Sequence, residues 1–311
     1  MENKIKIFCS EDWSLDSTYK EEGYELLDTG GGEKLERFGQ YVFIRPYEDA
    51  VWKKTLLEKE WGKADGKFWS SKEGAKSGWK MSRSNLDNKV EKRWGMSYKG
   101  IKFVASPTPF RHLGFFPEQA SHWDFIETHL RQGFGGQEKI KFLNLFGYTG
   151  VASLFALRAG AEVTHVDASR QTLDLVKENQ KMSGMDKMPM RIICDDVLKF
   201  LEREIKRGNK YDAVIMDPPK FGRGPKGETW RIEKDLLKLL ERVGKVLTNK
   251  PLFVILTSYA INSSSLSLGY ALENALSEIE GQVSSGELCV LEKSNNRVVS
   301  LANTAIWDGS F

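Results

Sequence analysis

From about residue 140 onward, the chain alternates short apolar runs with longer amphipathic stretches. The apolar runs have the length of buried strands and occur at residues 142–147, 163–167, 190–196 and 211–217. Hydrophobic residues recur at helical spacing in the stretches 151–158, 170–182, 198–207, 232–246 and 266–278. Strands that alternate with helices predict βαβ units and a parallel sheet with right-handed crossovers. We therefore expect a doubly wound α/β domain.

The last two predicted strands differ from the others in their connection. They cover residues 286–292 and 297–306, and only residues 293–296 separate them. This gap is too short for a crossover helix, so the two strands should pair antiparallel as a hairpin.

The first hundred residues predict a different architecture, which is rich in β-structure. Apolar and polar residues alternate at 24–28, 34–37, 41–45 and 101–104, and three glycines at 30–32 mark a turn. A short helix is predicted over residues 49–61 and another over 119–130, followed by a flexible connector at 131–137. We predict an accessory domain at residues 1–104 and an α/β domain at residues 105–311.

Composition narrows the class of protein. The chain has 311 residues, of which 40% are hydrophobic and 29% are charged, which is typical of a soluble protein. No stretch approaches the ~20 apolar residues of a membrane span, and the N-terminus has no apolar signal region. Three scattered cysteines (Cys9, Cys194 and Cys289) argue against a disulfide framework and favour the cytoplasm. Neither these cysteines nor the four histidines have metal-ligand spacing, so no metal is expected.

Positive charge is concentrated between residues 52 and 102. This segment has 14 Lys/Arg against 6 Asp/Glu and contains five of the nine tryptophans. Basic and aromatic side chains together suit a single-stranded or looped nucleic acid. The alternative interpretation is a lysine-rich surface whose tryptophans point inward and fill a small core.

The turn after the first strand of the α/β domain contains Gly147, Tyr148, Thr149 and Gly150. Glycines let the backbone approach a ligand, and the unpaired N–H groups at a helix start attract anions. The turn lacks the full G-x-G-x-x-G pattern of dinucleotide sites, so by itself it is equally typical of a plain tight turn.

The next two strands each end at an acidic residue. Asp167 could accept hydrogen bonds from both hydroxyls of a ribose, or it could cap the helix that starts near Ser169. Asp196 could bind an adenine amino group while Val197 packs on the ring, or it could be a helix cap. Together with the glycine turn, these residues favour a nucleoside site along the carboxyl ends of the strands.

The fourth strand ends in Asp217-Pro218-Pro219-Lys220-Phe221, which is the most specific of the four motifs. Two consecutive prolines hold the backbone extended and remove two N–H donors. The carbonyls and the Asp217 carboxylate should therefore form a rigid set of acceptors that face the ligand. The structural alternative is a stiff turn that closes a strand.

These motifs resemble those of class I S-adenosylmethionine-dependent methyltransferases, and more narrowly the bacterial group that includes the large-subunit (23S) ribosomal RNA methyltransferases. The resemblance rests on residues 144–150, 166–169 and 217–221, the strand end at Asp196, and residues 111–119, which are similar to a segment that precedes the sheet in that group. It implies a seven-stranded Rossmann-like sheet, S-adenosylmethionine as cofactor, and a base in ribosomal RNA as acceptor. The catalytic residues implied are Asp217, Pro218, Pro219 and Lys220. The cofactor-binding residues implied are Phe116, Gln119, Asn144, Phe146, Gly147, Tyr148, Thr149, Gly150, Asp167, Ala168, Asp196, Val197 and Asp217.

One departure from the family pattern limits the mechanism. Members that methylate carbon 5 of cytosine use a cysteine thiolate after the fifth strand, and here the aligned residue is Ala260. Transfer to a nitrogen or oxygen, which needs only alignment and a dry site, is therefore favoured. Phe221 or Tyr259 could stack on a flipped base, and Lys220, Arg223 and Lys226 could contact phosphates. The alternatives are a methyltransferase for a protein or small molecule, and an inactive RNA-binding assembly factor that retains the cofactor.

Overall fold

The structure is a computed structural model that describes residues 5–10, 13, 22–70, 76–82, 92–133, 139–259 and 264–309. It divides into two compact units. The large unit comprises Met1–Phe8, Ser121–Cys289 and Ser300–Phe311, and the small unit comprises Cys9–Ala120 and Val290–Val299. The chain thus returns to the small unit near its C-terminus, whereas the boundary predicted at residues 104/105 divides the chain once. That two-domain division stays a prediction.

The elements follow one another in this order. The N-terminal elements are β1 (Lys6–Cys9), β2 (Tyr24–Gly30), β3 (Glu33–Phe38), β4 (Tyr41–Pro46), α1 (Glu58–Trp61), β5 (Gly66–Ser70), β6 (Ser77–Met81), β7 (Trp94–Tyr98) and β8 (Ile101–Ala105). After a 3-10 turn at Pro117–Gln119, the next are α2 (Ala120–Gly133), β9 (Lys141–Leu145), α3 (Val151–Arg158), β10 (Glu162–Asp167), α4 (Arg170–Met182), β11 (Met190–Cys194), α5 (Val197–Arg207) and β12 (Ala213–Met216). The last are β13 (Phe221–Arg223), β14 (Thr229–Arg231), α6 (Ile232–Val246), β15 (Phe253–Ser258), α7 (Ser265–Ala275), β16 (Gln282–Leu291) and β17 (Val298–Asp308).

The large unit is built on an eight-stranded sheet in the order β1-β16-β17-β15-β12-β9-β10-β11. Strands β9, β10, β11, β12 and β15 pair parallel, whereas β17 pairs antiparallel with β15. The predicted doubly wound fold with reversed C-terminal strands is confirmed. The strand order reverses at β9, which has β10 on one side and β12 on the other, and ligands bind at such a switch point in this type of sheet.

The eighth strand, β1, was not predicted, because four mostly exposed residues carry no periodic signal. It lies beside β16 at the edge of the sheet. Any side chain at Gly286 of β16 would overlap the carbonyl oxygen of Lys6. The glycine therefore allows the two backbones to approach each other.

Helices cover the sheet on both faces. On one face α5, α6 and α7 bury Phe200, Leu240 and Leu272 in a common core with Leu143 and Val254 of the strands. On the other face, Phe125 of α2 packs edge-on against Phe253 of β15, with ring centroids 5.3 Å apart. Burial on both faces explains why the parallel strands read as continuous apolar runs in the sequence.

The small unit is rich in β-structure, as predicted. It contains a five-stranded sheet, β2-β3-β4-β5-β6, and the two-stranded sheet β7-β8. The helix predicted over residues 49–61 is wrong for most of its length, since only α1 (Glu58–Trp61) is helical. The physical reason is tertiary: the backbone N–H groups of Thr55 and Leu56 donate to the Asp28 carboxylate at 3.1 and 2.9 Å. These bonds hold the segment outside the helical conformation.

The tryptophans of residues 52–102 are mostly core residues. Trp61 and Trp94 are buried, and their indole N–H groups donate to Asp28 and to the carbonyl of Phe38. Of the five, Trp69 is the one that is strongly exposed, at 44%. The inward-pointing interpretation therefore accounts for Trp61 and Trp94, and a continuous aromatic surface is not formed.

Two absences hold for the part of the chain that the structure describes. No helix in it has the length and apolar character that a membrane crossing requires. The same residues form no cluster of three or more His, Cys, Asp or Glu side chains that could bind a metal ion.

Candidate active site

The register of the sheet brings the predicted strand-end residues to one level. Leu145 of β9 pairs with Val166 of β10 on one side and with Met216 of β12 on the other. The residues that follow, Phe146, Asp167 and Asp217, therefore leave the sheet side by side at its carboxyl edge. With neighbouring strands ~4.8 Å apart, the backbones of Asp167 and Asp217 flank the end of β9 at a separation of about 10 Å.

The turn after β9 has an unusual backbone. Phe146 and Tyr148 adopt positive φ angles of 55° and 50°, and Gly150 adopts 83°. Positive φ is uncommon for residues with side chains and clusters at functional sites. Gly150 is the N-cap of α3, so the N–H groups of the first helical turn, which have no partner within a helix, lie directly after this turn. The geometry is that of an anion-accepting turn.

Three buried polar side chains next to the turn form a row of hydrogen bonds. The Asn144 side-chain amide donates to Ser153 Oγ at 2.9 Å, and Ser153 Oγ lies 2.9 Å from Nδ1 of His165. Burial lowers the pKa of His165 to about 4, so the imidazole is neutral near neutral pH. Any side chain at Gly147 would overlap this imidazole. The close packing of His165 therefore explains why residue 147 is a glycine, which the sequence alone did not reveal.

Asn144 and Thr149 were predicted as cofactor contacts, and both are buried. The Asn144 side-chain amide donates to Ser153 Oγ, as described above. The Thr149 carbonyl accepts from the side chain of Asn179 at 2.9 Å. Both contacts hold the turn in shape. Their direct contact with a cofactor stays a prediction.

Asp167 is oriented by its neighbours. Its Oδ2 accepts from the Tyr148 backbone N–H at 3.0 Å, and its Oδ1 accepts from the Ser169 N–H at 2.8 Å and from the Thr172 hydroxyl at 3.1 Å. The N-cap of α4 is Ser169 rather than Asp167, so the helix-cap alternative for Asp167 is wrong. The carboxylate instead ties the glycine turn to the end of β10. The neighbouring Ala168 carbonyl accepts from the Cys194 thiol at 3.6 Å.

Asp196 is a helix cap, as its structural alternative proposed. Its Oδ1 accepts from the Lys199 N–H at 3.0 Å and so caps α5. The next residue, Val197, is 4% exposed and belongs to the core under the sheet. Neither observation assigns an adenine contact, which stays a prediction for both residues.

The Asp217-Pro218-Pro219 turn is fixed by a residue that the sequence analysis missed. The indole N–H of Trp230 donates to the Pro219 carbonyl at 2.6 Å, and the same indole packs on Phe146 with ring centroids 5.0 Å apart. The Pro219 carbonyl thus has a partner within the protein, and the expectation that the carbonyls of this turn face a ligand stays a prediction. In the sequence, the one feature that could have indicated this role is that Trp230 is a large aromatic residue within a polar stretch.

The segment after the prolines is more regular than the surface loop considered for Arg223 and Lys226. Residues Phe221–Arg223 and Thr229–Arg231 pair as an antiparallel hairpin, β13–β14. Lys220 is exposed and Phe221 is 50% exposed. The positions of both are therefore set by the hairpin.

Two further groups of predicted residues have separate locations. Phe116 and Gln119 belong to the small unit, where the Gln119 N–H donates to the Phe116 carbonyl at 3.1 Å in the 3-10 turn. Their role toward a cofactor stays a prediction. Ala260, the residue aligned with the family's cysteine, lies outside the described residues.

Comparison with known proteins agrees with this geometry. The sequence profile of the S-adenosylmethionine-dependent methyltransferases matches residues 122–282. A solved S-adenosylmethionine-dependent methyltransferase from Agrobacterium tumefaciens is 36% identical, with a TM-score of 0.87 over 98% of this chain and 94% of that one.

Two curated relatives match over shorter stretches. Ribosomal RNA large subunit methyltransferase I of Aeromonas salmonicida is 40% identical over 123 residues, which are 39% of this chain and 29% of that protein. Ribosomal RNA large subunit methyltransferase K of Neisseria meningitidis is 34% identical over 111 residues, 35% of this chain and 31% of that protein. The matched stretches thus span about three tenths of the length of these relatives.

The residues at the carboxyl edge fit S-adenosylmethionine. A helix start, whose first N–H groups have no partner within the helix, suits the methionine carboxylate. An oriented carboxylate one strand away suits the ribose hydroxyls. Fold, edge geometry and sequence matches agree that this chain belongs to the S-adenosylmethionine-dependent methyltransferase family, with S-adenosylmethionine as its cofactor.

Proposed function

We propose that this protein methylates a base in RNA, with large-subunit ribosomal RNA as the first candidate, by direct transfer without a covalent enzyme–base adduct. The observation that carries the proposal is the Asp217-Pro218-Pro219 turn, which leaves the sheet beside the glycine turn and is held there by Trp230. An acceptor group at this turn would lie next to the cofactor.

The cofactor side of the site is assigned as follows. Bound S-adenosylmethionine supplies a methyl group that is activated by its attachment to a sulfonium. The first turn of α3 would receive the methionine carboxylate, and Asp167, already oriented by Tyr148 and Ser169, would accept hydrogen bonds from the ribose. Asp196 and Val197 would lie toward the adenine. These contacts align the methyl group with the acceptor turn.

The acceptor side needs only orientation and exclusion of water. The Asp217 carboxylate and the Pro218 carbonyl would accept hydrogen bonds from an amino group of a base and so orient its nitrogen toward the methyl carbon. The Asp217 carboxylate would accept the proton that this nitrogen loses on methylation. A nitrogen carries its own lone pair, so positioning can supply most of the catalysis. A base reaches such a site by flipping out of its stack.

The positions of the cysteines support direct transfer. The chain has three cysteines, on β1, β11 and β16. In the strand order, β11 is separated from β12 by β9 and β10, and β16 is separated from β12 by β15 and β17. At ~4.8 Å per strand, the Cys194 and Cys289 backbones lie about 14 Å from β12. β1 lies beyond β16, so none of the three thiols is placed to attack a base held at Asp217.

RNA as the acceptor is supported by the names of the curated relatives, which are ribosomal RNA methyltransferases. It is also supported by the basic residues that follow the acceptor turn. Lys220, Arg223, Lys226 and Arg231 occur within residues 220–231, against one acidic residue, Glu228. Phosphates would be attracted to this segment.

A transfer assay tests the proposal. Purified protein and tritiated S-adenosylmethionine are incubated with RNA that lacks modification, with total protein, or with neither. We expect label in RNA, reduced at least tenfold by Asp217→Ala and retained by Lys250→Ala, which lies before β15 at the opposite edge of the sheet. Label in protein, or cofactor binding with no transfer to either, would overturn the assignment of RNA as acceptor.

A further inference from the structure

We propose that the outward face of the β13–β14 hairpin binds the single-stranded RNA that flanks the target base. This inference rests on the proposed function, because it requires RNA as the acceptor. It adds a second contact region, formed by Phe221, Arg223 and Arg231, which would hold neighbouring nucleotides rather than the base that is methylated.

The hairpin register separates two faces. Phe221 pairs with Arg231, Gly222 with Trp230, and Arg223 with Thr229. Directly paired residues of an antiparallel ladder share a face, and successive residues alternate between faces. Trp230 therefore points inward, where it is 4% exposed, while Phe221, Arg223 and Arg231 point outward and are exposed.

The inward face anchors the hairpin to the acceptor turn. Trp230 donates to the Pro219 carbonyl at 2.6 Å, and the Ile232 N–H donates to the Lys220 carbonyl at 3.1 Å. These two bonds tie the end of β14 to the residues that directly precede β13. The outward side chains are thereby held at a constant position relative to Asp217.

The tip of the hairpin is closed by Glu228. Its carbonyl accepts from the Gly224 N–H at 2.9 Å, its Oε2 accepts from the Lys226 N–H at 2.9 Å, and its Oε1 accepts from Lys199 Nζ at 2.6 Å. The only acidic side chain of residues 220–231 is thus already neutralised by Lys199 of α5. The arginines of the outward face meet no carboxylate from their own hairpin.

The outward face has the chemistry of a single-strand binding surface. Phe221 is 50% exposed, and the guanidinium of Arg231 lies 6.0 Å from its ring centroid. An exposed aromatic ring flanked by arginines can stack on a base while the guanidinium groups contact phosphates. Base stacking would cover the exposed half of this ring.

Two variants and two matched controls test the inference. Phe221→Ala and Arg223→Ala remove an aromatic ring and a cation from the outward face. Met188→Ala removes an exposed apolar side chain, and Lys250→Ala removes a cation. These residues precede β11 and β15 and so lie at the amino ends of the strands, away from the carboxyl edge. The probe is a labelled in-vitro transcript of large-subunit ribosomal RNA, and binding is measured by fluorescence anisotropy at several salt concentrations. Affinity for S-adenosylmethionine is measured in parallel.

We expect Phe221→Ala to weaken RNA binding about tenfold with an unchanged salt dependence, because stacking involves no counterion release. Arg223→Ala should weaken binding and make the slope of log affinity against log salt shallower by about 0.7, the value for one phosphate contact to a single strand. Both variants should bind S-adenosylmethionine as wild type does, and both controls should bind RNA as wild type does.

Three results would overturn the inference, and they differ in what else they affect. If wild type binds the transcript and both variants bind it equally well, the hairpin face is not used although RNA remains the acceptor. If only Arg223→Ala weakens binding, no base stacks on Phe221. The face would then attract any polyanion, including an acidic protein, and would not be specific for single-stranded RNA. If wild type binds no RNA, the proposed function fails together with the inference.

Discussion

The indole N–H of Trp230 donates a 2.6 Å hydrogen bond to the carbonyl oxygen of Pro219. This bond gives one carbonyl of the Asp217-Pro218-Pro219 turn a partner within the protein and so helps to hold the turn in place. It also joins the turn to Phe146 of the cofactor side through ring packing. Trp230 thus contacts both the Asp217-Pro218-Pro219 turn and the turn after β9, and we expect it to act as a positioning residue.

Replacing Trp230 should therefore affect transfer more than cofactor binding. Trp230→Phe keeps most of the ring packing but loses the hydrogen bond, which is worth about 1 kcal/mol, or roughly fivefold. We expect a fivefold lower single-turnover rate of methylation with an unchanged Kd for S-adenosylmethionine. Trp307→Phe, at a buried tryptophan of the same core, should lower stability and leave the rate unchanged. Equal rate losses in both variants would mean that Trp230 acts only through core packing.

Asp167 should determine cofactor affinity. Asp167→Ala removes the proposed ribose acceptor and the support of the Tyr148 N–H, so calorimetry should show binding of S-adenosylmethionine at least tenfold weaker. Asp174→Ala removes an exposed carboxylate from α4 and serves as the control. If Asp167→Ala binds the cofactor like wild type, the ribose assignment is wrong.

Gly147 should not tolerate a methyl group. In Gly147→Ala the new side chain would overlap the buried imidazole of His165, and overpacking of this kind costs about 1–3 kcal/mol. We expect a lower Tm and weaker S-adenosylmethionine binding, because the turn must shift to relieve the overlap. Gly244→Ala, where the nearest atom lies 3.4 Å away, should keep the wild-type Tm or raise it. A wild-type Tm in Gly147→Ala would contradict the close packing on His165.

His122 should make stability depend on pH. It is buried between the hydroxyls of Thr257 and Thr304, and burial lowers its pKa to about 3. The unfolded chain takes up a proton near its ordinary pKa of about 6.5, whereas the folded protein does not. The stabilisation is therefore complete above pH 6.5 and is lost as the pH falls toward 3, at about 1.4 kcal/mol per pH unit.

The His122→Gln variant isolates this contribution. Urea unfolding between pH 6.5 and 5 should show a slope shallower by about 1 kcal/mol per pH unit than in wild type, because the unfolded-state imidazole is only half protonated at pH 6.5. Thr304→Val removes a hydrogen-bond partner without a titrating group, so it should lower stability and keep the wild-type slope. An unchanged slope in His122→Gln would mean that the folded protein accepts the proton.

The cysteines should be dispensable for transfer. A variant with Cys9, Cys194 and Cys289 all replaced by alanine should methylate RNA within about threefold of the wild-type rate, because no thiol is placed near Asp217. Loss of stability from the buried Cys289 can be monitored separately by Tm. Loss of transfer in a fully folded triple variant would show that a thiol takes part in the reaction.

The local sequence was sufficient to predict most of the sheet and the positions at which its parallel strands end. Strands buried on both faces appear as apolar runs, and the residues that end them (Gly147, Asp167 and Asp217) stand out because polar residues and glycine interrupt those runs. The short gap of residues 293–296 likewise predicted adjacent reversed strands, which β16 and β17 form. Each of these inferences depends on residues that are close in sequence.

Contacts between distant residues were decided by the tertiary structure alone. The bond from Trp230 to Pro219, the chain Asn144–Ser153–His165, and the bonds of Asp28 to Thr55 and Leu56 join residues 9 to 28 positions apart. Hydrophobic periodicity records that a side chain is buried, but it does not record which partner meets it there. For the same reason the local motifs were enough to indicate the family of this protein and the end of the parallel strands at which Gly147, Asp167 and Asp217 lie. Only the folded chain decided how the Asp217-Pro218-Pro219 turn is held and which face of the β13–β14 hairpin is exposed.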